Sequence, residues 1–244
     1  MSFTEEYIGS GITVLVSPEH TFGTDAVLLA DFAKPKPDYK NCDLGSGCGI
    51  IPFLWLKKGC KDITAVEIQR QGYEQIIQSV KINNVSDRIK VYNADLRCLK
   101  GILPFGYFNL VTMNPPYTAD GSGVKSLSDT DKIARHGTMC TFSDMCKTAS
   151  GLLNYGGRFC VCIRPERLCE LFKEMQKYQI EPKRMRLVSK TYNTKAWLVL
   201  VEGKRGGKSG ITIEKSLYVY NLNNEYSEEM KKIYSDYLLE NRGN

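Results

Sequence analysis

Short apolar runs and segments with helical periodicity alternate along most of this chain. The apolar, β-branched runs at 62–66, 89–92 and 108–113 predict strands. Between the first two runs, residues 71–83 place apolar side chains at the spacing of a helix that covers one face of a sheet. Because strands and helices alternate in this way, we expect a parallel sheet with helices on its faces.

The C-terminal part of the chain predicts a different end to the same sheet. Thr141 is followed three residues later by an acidic residue, which marks a helix start, and residues 157–163 predict another strand. The runs at 184–189 and 196–202 predict an antiparallel pair of strands. A final helix is expected after the cap residue Ser227.

The composition agrees with one compact domain. The chain has 244 residues, of which 42% are hydrophobic and 25% are charged, and such a chain can bury a substantial core without disulfides or metals. No linker, internal repeat or low-complexity tract interrupts the pattern. We therefore predict a single domain over 1–244, in which residues 1–40 form an N-terminal extension.

Other features exclude particular classes of protein. No apolar run approaches membrane-spanning length, and the first six residues include two Glu where a signal peptide would be basic, so we expect a cytoplasmic protein with no membrane contact. The nine cysteines include no C-x-x-C pair, and the two histidines, His20 and His136, lie far apart. We predict reduced thiols, no metal and no obligate protein partner.

Positive charge is concentrated near the C-terminal end. The net charge is +6, and residues 181–216 contain nine Lys or Arg against three Glu, which accounts for the whole excess. The densest part, at 204–208, predicts a flexible basic loop in which Lys204, Arg205 and Lys208 contact nucleic-acid phosphates. A solubilising basic face is the alternative.

The stretch Asn114-Pro115-Pro116-Tyr117 directly follows the predicted strand at 108–113. Its prolines have a fixed φ and no N–H, so the chain leaves the strand in a stiff turn whose carbonyls can face a substrate. The Asn114 side-chain oxygen and the Pro115 carbonyl are suited to accept hydrogen bonds from a planar amine, a poor nucleophile. Tyr117 offers a ring for stacking on a base. By itself, the motif could also be an ordinary turn with a surface tyrosine.

Alternating glycines occupy the segment Asp43-Leu44-Gly45-Ser46-Gly47-Cys48-Gly49, between a predicted strand and a predicted helix. Closely spaced glycines let the backbone approach a ligand, and N–H groups at a helix start favour an anion. The spacing differs from G-x-G-x-x-G, which argues against a nicotinamide or flavin cofactor. Glu67, after the strand at 62–66, is suited to hold both hydroxyls of a ribose. Asp95 is suited to accept from an adenine amine, although either carboxylate alone could be a solvated charge.

Together these residues resemble the class I S-adenosylmethionine-dependent methyltransferases. The resemblance implies an α/β, Rossmann-like fold with a seven-stranded, mostly parallel sheet, an antiparallel C-terminal hairpin and helices on both faces. It implies S-adenosyl-L-methionine as the cofactor, and it identifies the stretch from Asn114 to Tyr117 as the amino-methyltransferase motif. The cofactor would be held by Asp43, Gly45, Ser46, Gly47, Gly49, Glu67, Asp95 and Asn114.

Further segments are similar to the bacterial tRNA1(Val) adenine-N6-methyltransferases, and this similarity spans nearly the whole chain. The segments are Phe22-Gly23-Thr24-Asp25, Ile133-Ala134-Arg135-His136, Gly156-Gly157-Arg158-Phe159, 164–168 and the glycine-rich basic loop at 203–210. The resemblance implies tRNA as the substrate and the adenosine immediately 3′ of the anticodon as the target. It places the N-terminal extension, with Thr24 and Asp25, over the cofactor, and Arg135 and His136 near a flipped nucleotide. Helix capping is the alternative for both pairs.

Three other functions stay open at this point. A glutamine-N5 methyltransferase acting on a peptide release factor shares Asn-Pro-Pro-Tyr, but it resembles a two-domain protein, and only about forty residues precede Asp43 here. An rRNA or DNA amino-methyltransferase is a second alternative, although no target-recognition domain is visible. A non-catalytic RNA-binding protein with a methyltransferase-like fold is the third.

Overall fold

The computed structural model describes residues 3–115 and 140–235. Within them, nine strands form one sheet. In chain order they are β3 (Lys40–Leu44), β4 (Asp62–Glu67), β5 (Ile89–Asn93), β6 (Phe108–Met113), β7 (Leu153–Ile163), β8 (Ile180–Ser189), β9 (Ala196–Arg205), β10 (Thr212–Ile213) and β11 (Leu217–Tyr218). Their spatial order is β10-β8-β9-β7-β6-β3-β4-β5, and β11 also pairs with β8.

The direction of the strands confirms the predicted fold class. Strands β3, β4, β5, β6 and β7 are parallel, whereas β9 runs antiparallel to both of its neighbours, β7 and β8. This is the mostly parallel sheet with an antiparallel C-terminal hairpin that the sequence predicts. Among the described residues the sheet has nine strands instead of the seven predicted, because the two-residue strands β10 and β11 both pair with the outer edge of β8.

Helices cover both faces of the sheet. In the described parts of the chain they are α1 (Thr24–Phe32), α2 (Ile50–Lys57), α3 (Arg70–Ile82), α4 (Phe142–Leu152), α5 (Leu168–Lys177) and α6 (Glu228–Tyr234). One apolar core includes residues of α1, α2, α3 and α6, and a second includes residues of α4 and α5. Neighbouring residues of β6 alternate between them, since Leu110 belongs to the first core and Val111 to the second.

The helix starts agree with the sequence at two positions and differ at a third. Thr141 and Asp144 form a capping box at the start of α4, and the Ser227 hydroxyl accepts from the Met230 N–H at 3.2 Å at the start of α6. Helix α1, in contrast, has Gly23 as its N-cap residue with no side-chain cap bond. Capping by a side chain therefore does not explain the polar residues that open α1.

The N-terminal extension begins with an antiparallel hairpin, β1 (Thr4–Tyr7) and β2 (Thr13–Val16). Side chains of α3 and of its C-cap residue hold β2: Asn83 Oδ1 accepts from the Thr13 N–H at 2.9 Å, and Gln75 Nε2 donates to the Leu15 carbonyl at 2.6 Å. Because these bonds involve buried or half-buried backbone, they replace the partners that a neighbouring strand would supply. The extension is thus attached to the helix that follows Glu67.

Within the basic segment, residues 181–216, the stretch 204–208 differs from its prediction as a flexible loop. Lys204 and Arg205 belong to β9, and Arg205 donates to the Leu153 carbonyl. Arg184 pairs with Glu202 and Glu214, and Arg186 pairs with Glu229. Several charges of the segment are therefore used inside the fold. Its exposed lysines include Lys190, Lys195, Lys204, Lys208 and Lys215.

Among residues 3–115 and 140–235, no helix is long and apolar enough to span a bilayer. The His, Cys, Asp and Glu side chains of the same residues form no group that could hold a metal ion.

Candidate active site

The carboxyl ends of four neighbouring parallel strands bring several predicted site residues to one edge of the sheet. Asp43 lies near the end of β3, Glu67 ends β4, Asp95 follows β5 and Asn114 follows β6. This is the edge at which open α/β sheets bind ligands. Pro115 is the last described residue after β6, whereas Tyr117, Arg135 and His136 lie outside the described residues.

The glycine segment crosses this edge between β3 and α2. Gly45, Gly47 and Gly49 have φ values of 67°, 56° and 86°, in the left-handed region that favours glycine. The N–H groups of Gly45 and Ser46 both donate to the Val66 carbonyl, at 2.8 and 3.0 Å. The turn is therefore fixed to the end of the neighbouring strand β4.

Glu67 is held by backbone N–H groups on both sides. Its Oε2 accepts from the Gly47 N–H at 2.8 Å, and its Oε1 accepts from the Gln69 N–H at 2.7 Å. Only 4% of the residue is exposed, and the Asn93 side chain donates to its backbone carbonyl at 2.8 Å. A carboxylate has about four lone-pair sites, so roughly two remain for a ligand's hydroxyl groups.

Gly72, in the first turn of α3, is a site residue that the sequence did not predict. A Cβ built on Gly72 would lie 2.9 Å from the Gly47 carbonyl oxygen and 3.0 Å from Glu67 Cγ. Helix α3 can therefore pack against the glycine segment and Glu67 only because this position has no side chain. A lone glycine inside a helical pattern gives little warning of such a contact, since the contact depends on how the helix packs.

Asp43 faces the interior and joins β3 to β6. Its Oδ1 accepts from the Thr112 hydroxyl at 2.6 Å, and Ser46 Oγ donates to its backbone carbonyl at 3.0 Å. Burial raises the pKa of Asp43 to about 7, although interactions with Thr112 and Ser46 oppose the shift. The site therefore contains a carboxyl group that titrates near neutral pH.

Asn114 lies between two side chains that orient its amide. Its Nδ2 donates to Asp25 Oδ2 at 3.0 Å, and its Oδ1 accepts from the Cys162 thiol at 3.0 Å. A bond to a carboxylate identifies the amide end that carries the N–H groups. The opposite end, Oδ1, is thus fixed as a hydrogen-bond acceptor at the carboxyl edge.

Cys162 was predicted only as one of the nine reduced thiols, and its contact with Asn114 was missed. The register pairs Met113 of β6 with Val161 of β7, so the next residues, Asn114 and Cys162, are neighbours. The apolar run at the end of β7 indicates a strand but does not show which strand lies beside it.

Asp95 has a partner of its own. Arg97 Nε donates to Asp95 Oδ1 at 3.0 Å and Arg97 Nη2 to Oδ2 at 2.6 Å, and hydrogen bonding by Arg97 holds the pKa of Asp95 below its usual range. A contact between Asp95 and adenine stays a prediction, and it requires Asp95 to accept a further bond beside Arg97. Ile68, 49% exposed directly after Glu67, is an apolar side chain at this edge that the sequence analysis did not single out.

The remaining predicted residues are not brought to this edge in the same way. The Thr24 hydroxyl accepts from Tyr234 on α6 at 3.1 Å, so it contributes to helix packing. Lys204 pairs in register with Arg158, which is level with Leu110 near the start of β6 and so lies away from the carboxyl edge, and Lys208 follows Lys204 in the chain. RNA contact by Lys204, Arg205 and Lys208 stays a prediction, but it requires RNA that extends to the opposite edge of the sheet.

Comparisons with known proteins agree on the type of domain. The model of the methyltransferase small domain matches residues 19–179. A tRNA1(Val) (adenine(37)-N6)-methyltransferase of Histophilus somni is 27% identical over 224 residues, which cover 89% of both chains.

Two solved structures are similar in fold. A structure described as a predicted O-methyltransferase, protein Atu636 from Agrobacterium tumefaciens, has a TM-score of 0.70 at 21% identity, covering 86% of this chain and 95% of that one. A geranyl diphosphate C-methyltransferase from Streptomyces coelicolor, solved with S-adenosyl-L-homocysteine, has a TM-score of 0.56 at 12% identity, covering 74% and 76% of the two chains. At these identities the similarity concerns the fold alone.

Proposed function

Because this chain belongs to the methyltransferase small domain family and is an S-adenosylmethionine-dependent methyltransferase, we propose that it methylates N6 of an adenosine in tRNA. The target we propose is the adenosine immediately 3′ of the anticodon of tRNA1(Val), the substrate in the name of the Histophilus somni relative. The observation that carries the proposal is the position of Asn114, whose amide is oriented by Asp25 and Cys162 directly after β6.

The residues at the carboxyl edge fit the cofactor. Glu67 is buried yet keeps acceptor capacity for ribose hydroxyls, and Ile68 offers an apolar surface to the adenine ring. The glycine segment brings its backbone close to Glu67, and the absent side chain of Gly72 lets α3 pack directly against both. When bound, S-adenosylmethionine supplies an electrophilic methyl group on a positively charged sulfur.

The chain's own contribution is to recognise and polarise the amine. We assign Asn114 Oδ1 and the Pro115 carbonyl as acceptors for the two amine hydrogens. Accepting both bonds draws the nitrogen lone pair out of conjugation with the ring, which makes the nitrogen a better nucleophile. Such fixed acceptors stabilise positive charge that develops on nitrogen without reorganising during the reaction. Holding the amine in place supplies a further part of the rate.

The chemical step balances without a metal or a dedicated base. The amine nitrogen forms a bond to the methyl carbon while the carbon–sulfur bond breaks and its electron pair stays on sulfur. The nitrogen, now positively charged, then loses one proton to water. S-adenosylhomocysteine and N6-methyladenosine are the products.

The target base must leave its stack before the amine can reach Asn114. An unpaired base in an anticodon loop makes this step inexpensive, because no base pair is broken. In this proposal Tyr117 stacks on the extruded base, and Arg135 and His136 lie near its nucleotide. These three assignments rest on the resemblance in sequence.

The test is methyl transfer from labelled S-adenosylmethionine to four acceptors in parallel. The acceptors are unmodified tRNA, rRNA, DNA and a glutamine-containing release factor. We expect label in tRNA and, after digestion, in N6-methyladenosine from the anticodon loop. Label in glutamine N5, in rRNA or in DNA would assign one of the alternative functions. Cofactor binding without transfer to any acceptor would indicate a non-catalytic RNA-binding role.

A further inference from the structure

We propose that the β8–β9 turn, residues 190–195, binds the RNA strand next to the target nucleotide. Lys190 and Lys195 contact its phosphates, and Tyr192 stacks on one of its bases. This inference rests on the proposed function, because it concerns how an RNA substrate reaches Asn114.

The position of the β8–β9 turn follows from the sheet register. Met113, directly before Asn114, is level with Val161 of β7. Val161 is level with Val201 of β9, and Val201 is level with Met185 of β8. From Met185, β8 continues to Ser189, roughly 13 Å beyond this level. Strand β9 lies two strands away from β6, about 10 Å to the side. The turn therefore stands beside the site and projects past it.

The side chains of the turn suit a nucleic-acid strand. Tyr192 is 72% exposed, and its ring packs edge-on against Tyr218 with 5.6 Å between the ring centroids. Lys190 and Lys195 are both exposed, and neither has an ion-pair partner among residues 3–115 and 140–235. An exposed ring flanked by unpaired cations is the combination that single-stranded RNA recognises, because the ring stacks on a base while the cations contact phosphates.

The turn is also held in shape, so little ordering is needed when it binds. The Thr194 hydroxyl accepts from the Thr191 N–H at 2.9 Å and donates to the Thr191 carbonyl at 2.9 Å. The Tyr220 N–H donates to the Lys190 carbonyl at 2.8 Å. These bonds fix the backbone on which the two lysines and Tyr192 stand. A preformed surface loses less entropy on binding than a flexible loop does.

A further cation lies between the turn and Asn114. Arg164 follows the end of β7, the strand between β6 and β9. Its Nη1 donates to the Trp197 carbonyl at 3.1 Å, and its guanidinium lies 5.7 Å from the Trp197 ring centre. Positive charge therefore extends along the carboxyl edge from β7 to β8. The acidic residues next in sequence are Glu166 and Glu170, and Glu170 is paired with Arg167.

Lys61 and Lys81 provide a matched control of equal charge. Lys61 directly precedes the first residue of β4 and Lys81 lies in the last turn of α3, whereas the site is at the end of β4 and the start of α3, so both lysines lie toward the opposite edge of the sheet. Both pairs of lysines are exposed, and removing either pair lowers the net charge by two. A change caused by net charge alone would appear equally in both variants.

The experiment compares Lys190→Ala/Lys195→Ala, Tyr192→Ala and Lys61→Ala/Lys81→Ala with the wild-type protein. Binding of unmodified tRNA is measured at several salt concentrations, and kcat and KM for methyl transfer are measured on the same tRNA. For the Lys190/Lys195 variant we expect the slope of log affinity against log salt to flatten by about 1.4, as for two contacts to a single strand. For Tyr192→Ala we expect affinity to fall roughly 5- to 150-fold.

Both variants should show a raised KM for tRNA while cofactor affinity and the urea midpoint stay unchanged, and the Lys61/Lys81 control should keep the wild-type slope. The inference is overturned if the Lys190/Lys195 variant keeps the wild-type salt slope, or if the slope flattens only in the control variant. It is also overturned if the two pairs flatten the slope equally. Methylation of tRNA by the wild-type protein tests the proposed function separately. If the wild type methylates tRNA but the Lys190/Lys195 variant binds tRNA just as the wild type does, this inference alone is refuted.

Discussion

The Nδ2 atom of Asn114 lies 3.0 Å from Oδ2 of Asp25, a residue 89 positions earlier in the chain. Asp25 was predicted from a resemblance to contact the cofactor, yet in this structure its carboxylate binds the residue that we assign to the substrate amine. A Cβ built on Gly23 would lie 2.6 Å from Asp25 Oδ1, so the carboxylate packs closely over this glycine. The start of α1 therefore determines which way the Asn114 amide points.

If Asp25 positions Asn114, replacing Asp25 should affect turnover more than cofactor binding. In Asp25→Asn the new amide at position 25 can donate to Asn114 Oδ1. The Asn114 amide then loses its single preferred orientation. We expect kcat to fall roughly 10- to 100-fold, the scale of a lost hydrogen bond to a charged group, with the cofactor Kd within a few-fold.

Asp31→Asn is the matched control, because Asp31 is on the same helix and pairs at the surface with Lys58 at 2.7 Å. It should leave kcat unchanged. A loss of cofactor affinity in Asp25→Asn with normal kcat would instead make Asp25 a cofactor contact, as the sequence resemblance implied.

Asn114→Ala removes one of the two proposed acceptors for the amine. Because this contact strengthens as charge develops on nitrogen, it is felt mainly in the transition state. We expect methyl transfer to fall by about 10²- to 10³-fold or more, with the affinity for S-adenosylmethionine within a few-fold. Single-turnover rates and calorimetry measure the two quantities. Wild-type turnover in this variant would remove Asn114 from the catalytic role.

The sequence predicted the elements of the fold because each strand and helix carries its own periodicity. It also located Asn114 and Glu67, since both follow strands directly and the carboxyl ends of parallel strands meet at one edge. Neither observation requires knowledge of which strands are neighbours. Cys162 and Gly72 were missed for that reason: their contacts depend on strand register and on the approach of a helix, which no local pattern records.

The basic segment shows a second limit. A count of charges predicts an excess of +6 over residues 181–216, but it cannot show which charges are paired. Arg184 lies between Glu202 on β9 and Glu214 just after β10, and Arg186 reaches Glu229 on α6. These partners come from separate elements. The exposed charge that remains in the segment is therefore distributed between two opposite edges of the sheet.

Glu67→Ala should weaken cofactor binding. The variant removes acceptors proposed for the ribose hydroxyls and also leaves the Gly47 and Gln69 N–H groups without their partner. We expect a loss of on the order of 1.5 to 3 kcal/mol, the usual scale for hydrogen bonds to a charged group. Isothermal titration with S-adenosylmethionine measures it. An unchanged affinity would exclude Glu67 from the cofactor site.

Asp43 should make stability depend on pH. Burial raises its pKa from the usual value of 3.8 to about 7, so the folded protein keeps a proton that the unfolded chain releases between these values. The folded state therefore loses stability as pH rises through this window. Asp43→Asn removes the titration. We expect the free energy of unfolding of the wild type, relative to this variant, to fall by on the order of 2 to 3 kcal/mol between pH 5 and pH 8.

Urea unfolding of both proteins at several pH values measures this difference, in which the titrations of all other shared groups largely cancel. A difference that is constant between pH 5 and pH 8 would show that the pKa of Asp43 in the folded protein is not raised above its ordinary value.

Gly72→Ala tests whether helix packing controls the cofactor site. In an ordinary helix, alanine at this position would stabilise α3 by about 1 kcal/mol relative to glycine. Here the new methyl group would lie 2.9 Å from the Gly47 carbonyl oxygen and 3.0 Å from Glu67 Cγ, so the glycine segment and the carboxylate must shift. Overpacking of this kind costs about 1 to 3 kcal/mol of folding stability. Because the groups that must shift are those proposed to hold the cofactor, we also expect cofactor affinity to fall roughly 5-fold or more.

Gly151→Ala on α4 is the matched control for this variant, since its Cβ would meet the ring of Phe105, a side chain that is 51% exposed and can move. The same chemical change should therefore leave cofactor affinity unaltered at position 151 and reduce it at position 72, with both proteins still folded by circular dichroism. If Gly72→Ala binds S-adenosylmethionine as tightly as Gly151→Ala does, the close approach of α3 is not what holds Glu67 and the glycine segment in place.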